Sequence, residues 1–144
     1  MPIRIETTIH APLQTVWEAW TTPADIEQWN NASPDWHTPR AEVDLREGGR
    51  FWSRMESRDG SMGFDFTGTY TRVVPGELIE YAMEDGRRVQ VEFSGEASGP
   101  VTVRETFDAE GTHTEEQQRA GWQAILDNFK RHVESGASRK ETAQ

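Results

Sequence analysis

The residue best placed to do chemistry is a glutamate inside an apolar alternation. In the stretch VTVRETF, residues 101–107, apolar and polar side chains alternate, and Glu105 falls on the apolar face between Val103 and Phe107. An ionised carboxylate on such a face is costly, so Glu105 must pair with a cation, take up a proton or reach solvent. We expect it to orient a ligand hydroxyl or amine, or to act as a general base with a raised pKa.

A purely structural role for Glu105 is the alternative. It would then lie near the open end of a sheet, or it would pair with an arginine such as Arg54 or Arg72. A similar choice applies to two tyrosines. Tyr70 and Tyr81 either offer their hydroxyls to a ligand or satisfy backbone carbonyls.

The four histidines of the sequence do not form a metal-binding pattern. His10, His113 and His132 lack metal-ligand spacing with one another and with acidic clusters, and the chain has no cysteine. We therefore predict no metal and no cofactor. His37 follows Trp36 in a loop, where it is either a proton shuttle or an exposed residue without a catalytic role.

The composition narrows the range of partners. The chain has 144 residues, which fits one domain with a sizeable core. Its formal net charge is −10, which repels phosphate backbones and anionic lipid headgroups, so we predict neither a nucleic-acid nor a membrane partner. The absence of cysteine and of any long apolar stretch is typical of a cytoplasmic protein.

The elements that must position the candidate residues are mostly strands. The stretch IRIETTIHA alternates like a half-buried strand, and PLQTVWEAWTT and PADIEQW follow as two short helices. Six further strand patterns run from Ala41 to Phe107 and are joined by short turns that contain glycine, which indicates an antiparallel meander. With a final helix, the predicted order is β-α-α-β-β-β-β-β-β-α.

The final helix has the clearest signals. Thr114 is predicted as its N-cap, with Gln117 reaching back in a capping box, and Gly136 as its end. Its apolar residues repeat at helical spacing: Trp122, Ile125, Leu126, Phe129 and Val133. We predict that the sheet curves around this helix and buries its apolar stripe, while the two short helices close one end.

The motifs resemble those of one known superfamily in order and spacing. The stretch APLQTVWEAWTTPADIEQW resembles the opening of the SRPBCC, or START-like, superfamily. Three later stretches resemble its branch of homologues of the heat-shock protein 90 ATPase activator: DLREGGRFWSRM, DGSMGFDFTGTYTRVVPGELIEYAM and EEQQRAGWQAILDNFKRHVES. Relatives within the superfamily include polyketide cyclase-like and birch-pollen-allergen-like proteins.

The resemblance implies an α+β helix-grip fold with a curved seven-stranded antiparallel sheet. A cavity would lie between this sheet and the C-terminal helix. Because Gly136 ends the final helix, the sequence itself predicts one domain at residues 1–136 and a disordered tail at residues 137–144. Members of the superfamily bind lipids, sterols, plant hormones or polyketides, and some catalyse cyclisation or aromatic-ring chemistry. Members also form dimers through the exposed sheet face, so we predict a homodimer with Trp52 pointing outward.

Strand alternation and the helix stripe predict which side chains line this cavity. They are mainly apolar or aromatic: Trp36, Phe51, Ser53, Met55, Phe64, Phe66, Tyr70, Tyr81, Met83, Phe93, Glu105, Trp122, Ile125 and Phe129. Such a lining suits a small hydrophobic ligand in a pocket of roughly 300–1,000 Å³. The alternative is that the same side chains interdigitate and fill the core. Trp29 is predicted as a structural plug and Trp36 as a flexible lid over the pocket.

Three functions remain open from the sequence. The first is the binding or transport of a small hydrophobic or amphipathic molecule. The second is an enzyme of the cyclase, hydrolase or dehydratase kind that uses Glu105 and a tyrosine as acid and base. The third is a chaperone-associated stress-response protein. The eukaryotic activator resembles this chain only through its C-terminal domain, and 144 residues are too few to contain its N-terminal domain as well.

Overall fold

The computed structural model describes residues 2–31 and 33–135 and has the α+β architecture that the sequence predicts. The strands are β1 (Pro2–Ile9), β2 (Trp36–Val43), β3 (Arg50–Ser57), β4 (Gly63–Val74), β5 (Leu78–Met83), β6 (Arg88–Gly95) and β7 (Val101–Asp108). The helices are α1 (Leu13–Thr21), α2 (Pro23–Trp29) and α3 (Glu115–Glu134). The predicted element order is confirmed, and the predicted tail at residues 137–144 lies outside the described residues.

The strands of the described residues form one antiparallel sheet in the order β1-β7-β6-β5-β4-β3-β2. Consecutive strands from β2 to β7 are neighbours because tight turns join them. Each of these five turns contains a glycine with positive φ, such as Gly48 at 86° and Gly86 at 90°. The first strand completes the sheet by pairing with β7, from Pro2 opposite Asp108 to Ile9 opposite Val101. The sheet curls around α3, and the predicted helix-grip fold is confirmed.

The alternation on β7 is confirmed residue by residue. Val101, Val103, Glu105 and Phe107 are buried, while the residues between them are half-exposed. The neighbouring β6 shows the same pattern, with Val89, Val91 and Phe93 buried. These buried residues face α3, whose own buried apolar residues are Leu126, Phe129 and Val133. The core therefore lies between one face of the sheet and one stripe of the helix.

Two strands depart from ideal pairing. Register shifts occur between His37 and Arg40 on β2 and between Tyr70 and Arg72 on β4. Such irregularities bend and twist a strand locally, which helps the sheet to curl. In addition, β2 begins at Trp36 rather than at Ala41, where the sequence pattern begins. The earlier start is possible because Trp36 pairs with Ser57 of β3.

The short helices α1 and α2 close one end of the sheet with aromatic side chains. The rings of Trp20, Trp29 and Phe129 contact one another, with centroids 4.8–4.9 Å apart. The indole N–H of Trp29 donates to the Ala19 carbonyl at 3.0 Å, and the side chain is buried. This position matches the predicted role of Trp29 as a structural plug.

The start of α3 follows the predicted capping box. The Gln117 N–H donates to Thr114 Oγ1 at 3.0 Å, and the Thr114 N–H donates to Gln117 Oε1 at 2.9 Å. The helix is amphipathic, and within the part of the chain that the structure describes no helix is long and apolar enough to cross a membrane. Gln118, near the start of α3, accepts from the Glu110 N–H at 2.8 Å, which ties the helix to the segment after β7.

Candidate functional site

A pocket of about 670 Å³ lies between the inner face of the sheet and α3. Eleven of the predicted residues line it: Phe51, Ser53, Met55, Phe64, Phe66, Tyr70, Tyr81, Met83, Glu105, Trp122 and Ile125. They come from β3, β4, β5, β7 and α3, so the pocket needs the curl of the sheet to exist. The inner side chains of these strands therefore leave space in front of the helix.

One wall of the pocket consists of packed aromatic rings. Phe51 is at the centre of this wall, with ring centroids 4.7 Å from Tyr81, 5.4 Å from Phe66 and 5.5 Å from Tyr70. Gly68 on β4 lies directly beneath Phe51, and a Cβ at this position would come within 2.6 Å of the ring. The absence of a side chain at Gly68 thus allows Phe51 to lie flat against the sheet.

Glu105 faces this pocket from β7 and is only 6% exposed. Its neighbours across the sheet are Ile5 on β1 and Val91 on β6, both apolar. Within residues 2–31 and 33–135, no hydrogen bond or ion pair reaches its carboxyl group. Burial raises the pKa of the Glu105 carboxyl from 4.5 to about 8. At neutral pH this carboxyl is therefore mainly protonated.

Neither arginine considered as a partner reaches Glu105. Arg54 pairs with Glu56 at 2.9 Å and with Asp65 at 3.3 Å, and Arg72 is exposed. The burial of Glu105 also rules out a position at the solvent-filled end of the sheet. Both structural alternatives for Glu105 are therefore wrong. The cause is the curl of the sheet, which places the middle of β7 under the helix.

The two tyrosines and a serine add further polar groups to the pocket. Burial raises the pKa of the Tyr81 hydroxyl well above 10, and the charge of Glu105 raises it further. Burial also raises the pKa of the Tyr70 hydroxyl, with a smaller contribution from Asp44. Neither hydroxyl forms a hydrogen bond to another described residue, and Ser53 is only 5% exposed. Both tyrosines therefore stay neutral and can donate to a ligand.

The mouth of the pocket carries charged residues that the sequence analysis did not select. Arg87 Nε lies 2.7 Å from Asp85 Oδ2, and His113 Nδ1 lies 3.1 Å from Glu110 Oε2. Gln118 connects this mouth to α3, because its side chain accepts from the Glu110 N–H at 2.8 Å. Turn residues have no periodic signal, so only the fold brings these groups together.

Other lining residues were also missed, and most of them had a detectable signal. Trp20, Ile26, Val43 and Ile79 lie on apolar faces of their elements, which is the signal that could have found them. Gly121 on α3 also lines the pocket. A glycine within an amphipathic helix could have drawn attention to this position, because glycine is unfavourable in a helix and its presence there leaves open space beside the pocket.

Three of the predicted residues do not line the pocket. Phe93 and Phe129 face the core as predicted, but they pack against Trp20 at the closed end, with ring centroids 5.9 and 4.8 Å from it. Trp36 contacts Phe64, with centroids 5.9 Å apart, and it belongs to β2. The prediction of Trp36 as a flexible lid is therefore wrong, because Trp36 is a strand residue that pairs with Ser57.

Two further predicted residues lie away from the pocket. His37 Nε2 lies 3.9 Å from Glu56 Oε1, on the strand that continues from Trp36, and His37 does not line the pocket. The Trp52 indole N–H donates to Asp65 at 2.9 Å on the outer face of the sheet, and Arg40 lies over its ring. The outward direction of Trp52 agrees with the prediction from the sequence, and the homodimer stays a prediction.

Among residues 2–31 and 33–135, no group of three or more histidine and acidic side chains could hold a metal ion.

The comparison with known families agrees with this geometry. Residues 10–134 match the family described as "Activator of Hsp90 ATPase homolog 1-like protein". A solved AHSA1-like protein from Aeromonas hydrophila is 52% identical, with 97% of this chain and 96% of that chain covered and a TM-score of 0.89. The chain belongs to the AHSA1-like family. The resemblance to this branch of the SRPBCC superfamily is confirmed.

Two other solved structures are also similar to this chain. Protein Chr148 from Cytophaga hutchinsonii is 43% identical, with 95% and 94% of the two chains covered and a TM-score of 0.80. Protein CV1439 from Chromobacterium violaceum is 22% identical, with 92% and 96% covered and a TM-score of 0.81, and it shares the fold. No curated protein matches the chain. The matched range of the AHSA1-like family includes every residue that lines the pocket.

Proposed function

We propose that this AHSA1-like protein binds a small apolar or amphipathic molecule in the pocket between the sheet and α3. The observation that carries the proposal is a pocket of about 670 Å³ that combines an aromatic wall with a buried, unpaired Glu105. Pockets for small molecules have volumes of roughly 300–1,000 Å³ and mainly apolar linings with a few polar groups. The pocket has both properties.

The energetics favour an apolar body in this pocket. The rings of Phe51, Phe66 and Tyr81 offer surface that water covers poorly. Removing apolar surface from water contributes about 25 cal/mol per Å², so a ligand that covers these rings gains affinity without any large rearrangement of the sheet. The polar groups of the pocket would then fix the orientation of the ligand.

The test is uptake of a neutral apolar dye, Nile red, followed by fluorescence. Ser53→Phe fills the pocket from β3, and we expect it to abolish dye uptake. The matched control is Ser94→Phe, because Ser94 is exposed on the opposite face of β6. Native mass spectrometry of the purified protein would identify any molecule that remains bound. Equal dye uptake by the wild type and by Ser53→Phe would contradict the proposal.

An enzyme is a second candidate, favoured by the raised pKa of Glu105. A carboxyl with a pKa of about 8 can exchange protons near neutral pH, and Tyr81 offers a neutral hydroxyl beside it. The two would serve as acid and base for a cyclase, hydrolase or dehydratase. If a bound molecule is turned over, Glu105→Gln should retain binding and lose turnover, and turnover that survives this substitution would exclude the role.

A chaperone-associated role is a third candidate and rests on the family match. Its test is the ATPase rate of an Hsp90 with and without this chain, and an unchanged rate would count against it.

We propose a cytoplasmic location for all three candidates, because the chain has no cysteine. Cell fractionation tests this location.

A further inference from the structure

The carboxyl group of Glu105 has no hydrogen-bond or ion-pair partner among the described residues. It is 94% buried and faces the pocket, and within residues 2–31 and 33–135 no arginine, lysine or histidine nitrogen lies within 4.0 Å of it. Buried polar groups in native proteins almost always have a hydrogen-bond partner. A donor supplied by the ligand would satisfy Glu105 where the protein itself does not.

The rings around this carboxyl favour a positive charge over a negative one. The rings of Phe51, Phe66, Tyr70 and Tyr81 form one connected wall, with centroid separations between 4.7 and 6.4 Å. The face of an aromatic ring carries partial negative charge and attracts ammonium groups. An anionic ligand group would gain nothing from this wall.

The fixed charges of the pocket point the same way. Acidic residues outnumber basic ones: Glu84, Asp85, Glu105 and Glu110 line it with Arg87 and His113, and Asp65 borders it while its carboxylate accepts from Trp52 on the outer face of the sheet. Apart from Glu105, each carboxylate already has a partner, and Arg87 is itself held by Asp85. An anion therefore meets no free cation here, while the whole chain has a net charge of −10.

We propose that the pocket selects an amphipathic amine, whose ammonium group pairs with Glu105 while its apolar body packs between the aromatic wall and α3. This inference rests on the proposed binding function and names the chemical class of its ligand. An ammonium group supplies both the donor and the charge that the buried carboxyl lacks. A carboxylate ligand of the same shape meets no unpaired cation in the lining, because Arg87 and His113 already pair with Asp85 and Glu110.

Pairing with an amine changes the number of bound protons. In the free protein at pH 7, burial keeps Glu105 mainly protonated, because its pKa is about 8. An amine arrives as ammonium, and the bound pair holds one proton fewer than the two separate groups. Binding at pH 7 therefore releases close to one proton into solution. A neutral alcohol in the same place releases none.

Few other groups near Glu105 can take part in this proton exchange. Its sheet neighbours Ile5 and Val91 do not titrate, nor do Trp122 and Ile125 of α3. The other titratable or charged groups that line the pocket near it are Tyr70 and Tyr81 on the wall and Asp85, Arg87, Glu110 and His113 at the mouth. The two tyrosines remain neutral at pH 7 because burial raises the pKa of each hydroxyl.

The experiment compares three ligands with one body and different polar groups: phenylbutylamine, phenylbutanol and phenylbutyrate. Each is titrated against the Nile red complex of the full chain, and calorimetry in two buffers of different ionisation enthalpy counts the protons released. We expect the amine to bind more tightly than the alcohol and the carboxylate to bind least. Proton release should accompany the amine alone.

Glu105→Gln keeps the shape of the side chain and prevents its ionisation in the complex. We expect it to weaken binding of the amine by about tenfold to a hundredfold, to abolish proton release and to leave binding of the alcohol unchanged. The control is Glu92→Gln, which makes the same substitution at an exposed position on β6. It should leave all three affinities unchanged.

The outcomes separate the two proposals. If Nile red binds but the amine has no advantage over the alcohol, or Glu105→Gln keeps the affinity for the amine, the amine inference fails and the binding function stands. If the wild type takes up no Nile red, the binding function fails, and the amine inference fails with it. The comparison of ligands in the wild type does not depend on the folding of any variant.

Discussion

Phe107 on β7 and Trp122 on α3 stack face to face, with ring centroids 4.0 Å apart and planes 10° apart. Phe107 is buried, whereas Trp122 is half-exposed and lines the pocket. The stack holds the first half of α3 against the sheet one inward position from Glu105. It thus links the stability of the fold to the shape of the pocket.

The first prediction concerns this stack. We expect Trp122→Ala to lower the free energy of unfolding by about 2 kcal/mol, because it removes buried ring area and the contact with Phe107. Denaturant unfolding measures the loss. Trp36→Ala is the control: Trp36 is also half-buried, but its ring contacts only the exposed Phe64 among described aromatic rings. Equal losses in the two variants would contradict a special role for the stack.

The second prediction concerns the pH dependence of stability. The pKa of Glu105 is about 8 in the folded protein, whereas its ordinary value is 4.5. Between pH 4.5 and about pH 8 the folded state therefore keeps a proton that the unfolded state has already released. The contribution of this proton to stability is fully present below pH 4.5 and is lost as the pH rises to about 8.

Glu105→Gln removes this titration. We expect the wild type to lose about 3 kcal/mol of stability relative to Glu105→Gln between pH 5 and pH 8. Urea unfolding of both proteins at the two pH values measures the difference. Glu92→Gln controls for the change of one unit in net charge. Parallel pH profiles of the wild type and Glu105→Gln would show that Glu105 is not kept protonated by burial.

The third prediction compares Gly68, which lies beneath the Phe51 ring, with Gly121, which lines the pocket from α3. We expect Gly68→Ala to cost about 1–3 kcal/mol, because the new Cβ would come within 2.6 Å of the Phe51 ring and push it off the sheet. Gly121→Ala is the matched control, since a Cβ there meets nothing within 4 Å on α3. It should stabilise the protein by about 0.5–1 kcal/mol through helix propensity. Thermal unfolding compares the two, and equal effects would contradict the close approach at Gly68.

The fourth prediction concerns a polar contact between α2 and α3. His132 Nε2 lies 2.8 Å from Asp25 Oδ1, and the two side chains are only 8% and 17% exposed. Asp25→Ala leaves a buried ring nitrogen without its partner, so we expect a loss of about 1–3 kcal/mol. A double-mutant cycle with His132→Ala measures the coupling. Additive losses would mean that the two side chains do not depend on each other.

The fold followed from the sequence because its signals are local. Val101, Val103 and Phe107 revealed the inner face of β7 through simple alternation, and Thr114 with Gln117 marked the start of α3 through contacts three residues apart. The short turns predict that consecutive strands pair antiparallel in a meander, as they do. The amphipathic helix can then bury its apolar stripe only against the apolar face of this sheet. No distant contact had to be known for any of these steps.

Only the tertiary structure decided which inward residues surround a pocket and which fill the core. Phe93 and Phe51 both face inward, yet α1 brings Trp20 against Phe93, while the ring of Phe51 borders open space. In the same way, Glu105 could be placed on an apolar face from its neighbours in the chain. Its lack of a partner depends on the curl of the sheet and on the positions of distant arginines, and the local sequence pattern determines neither.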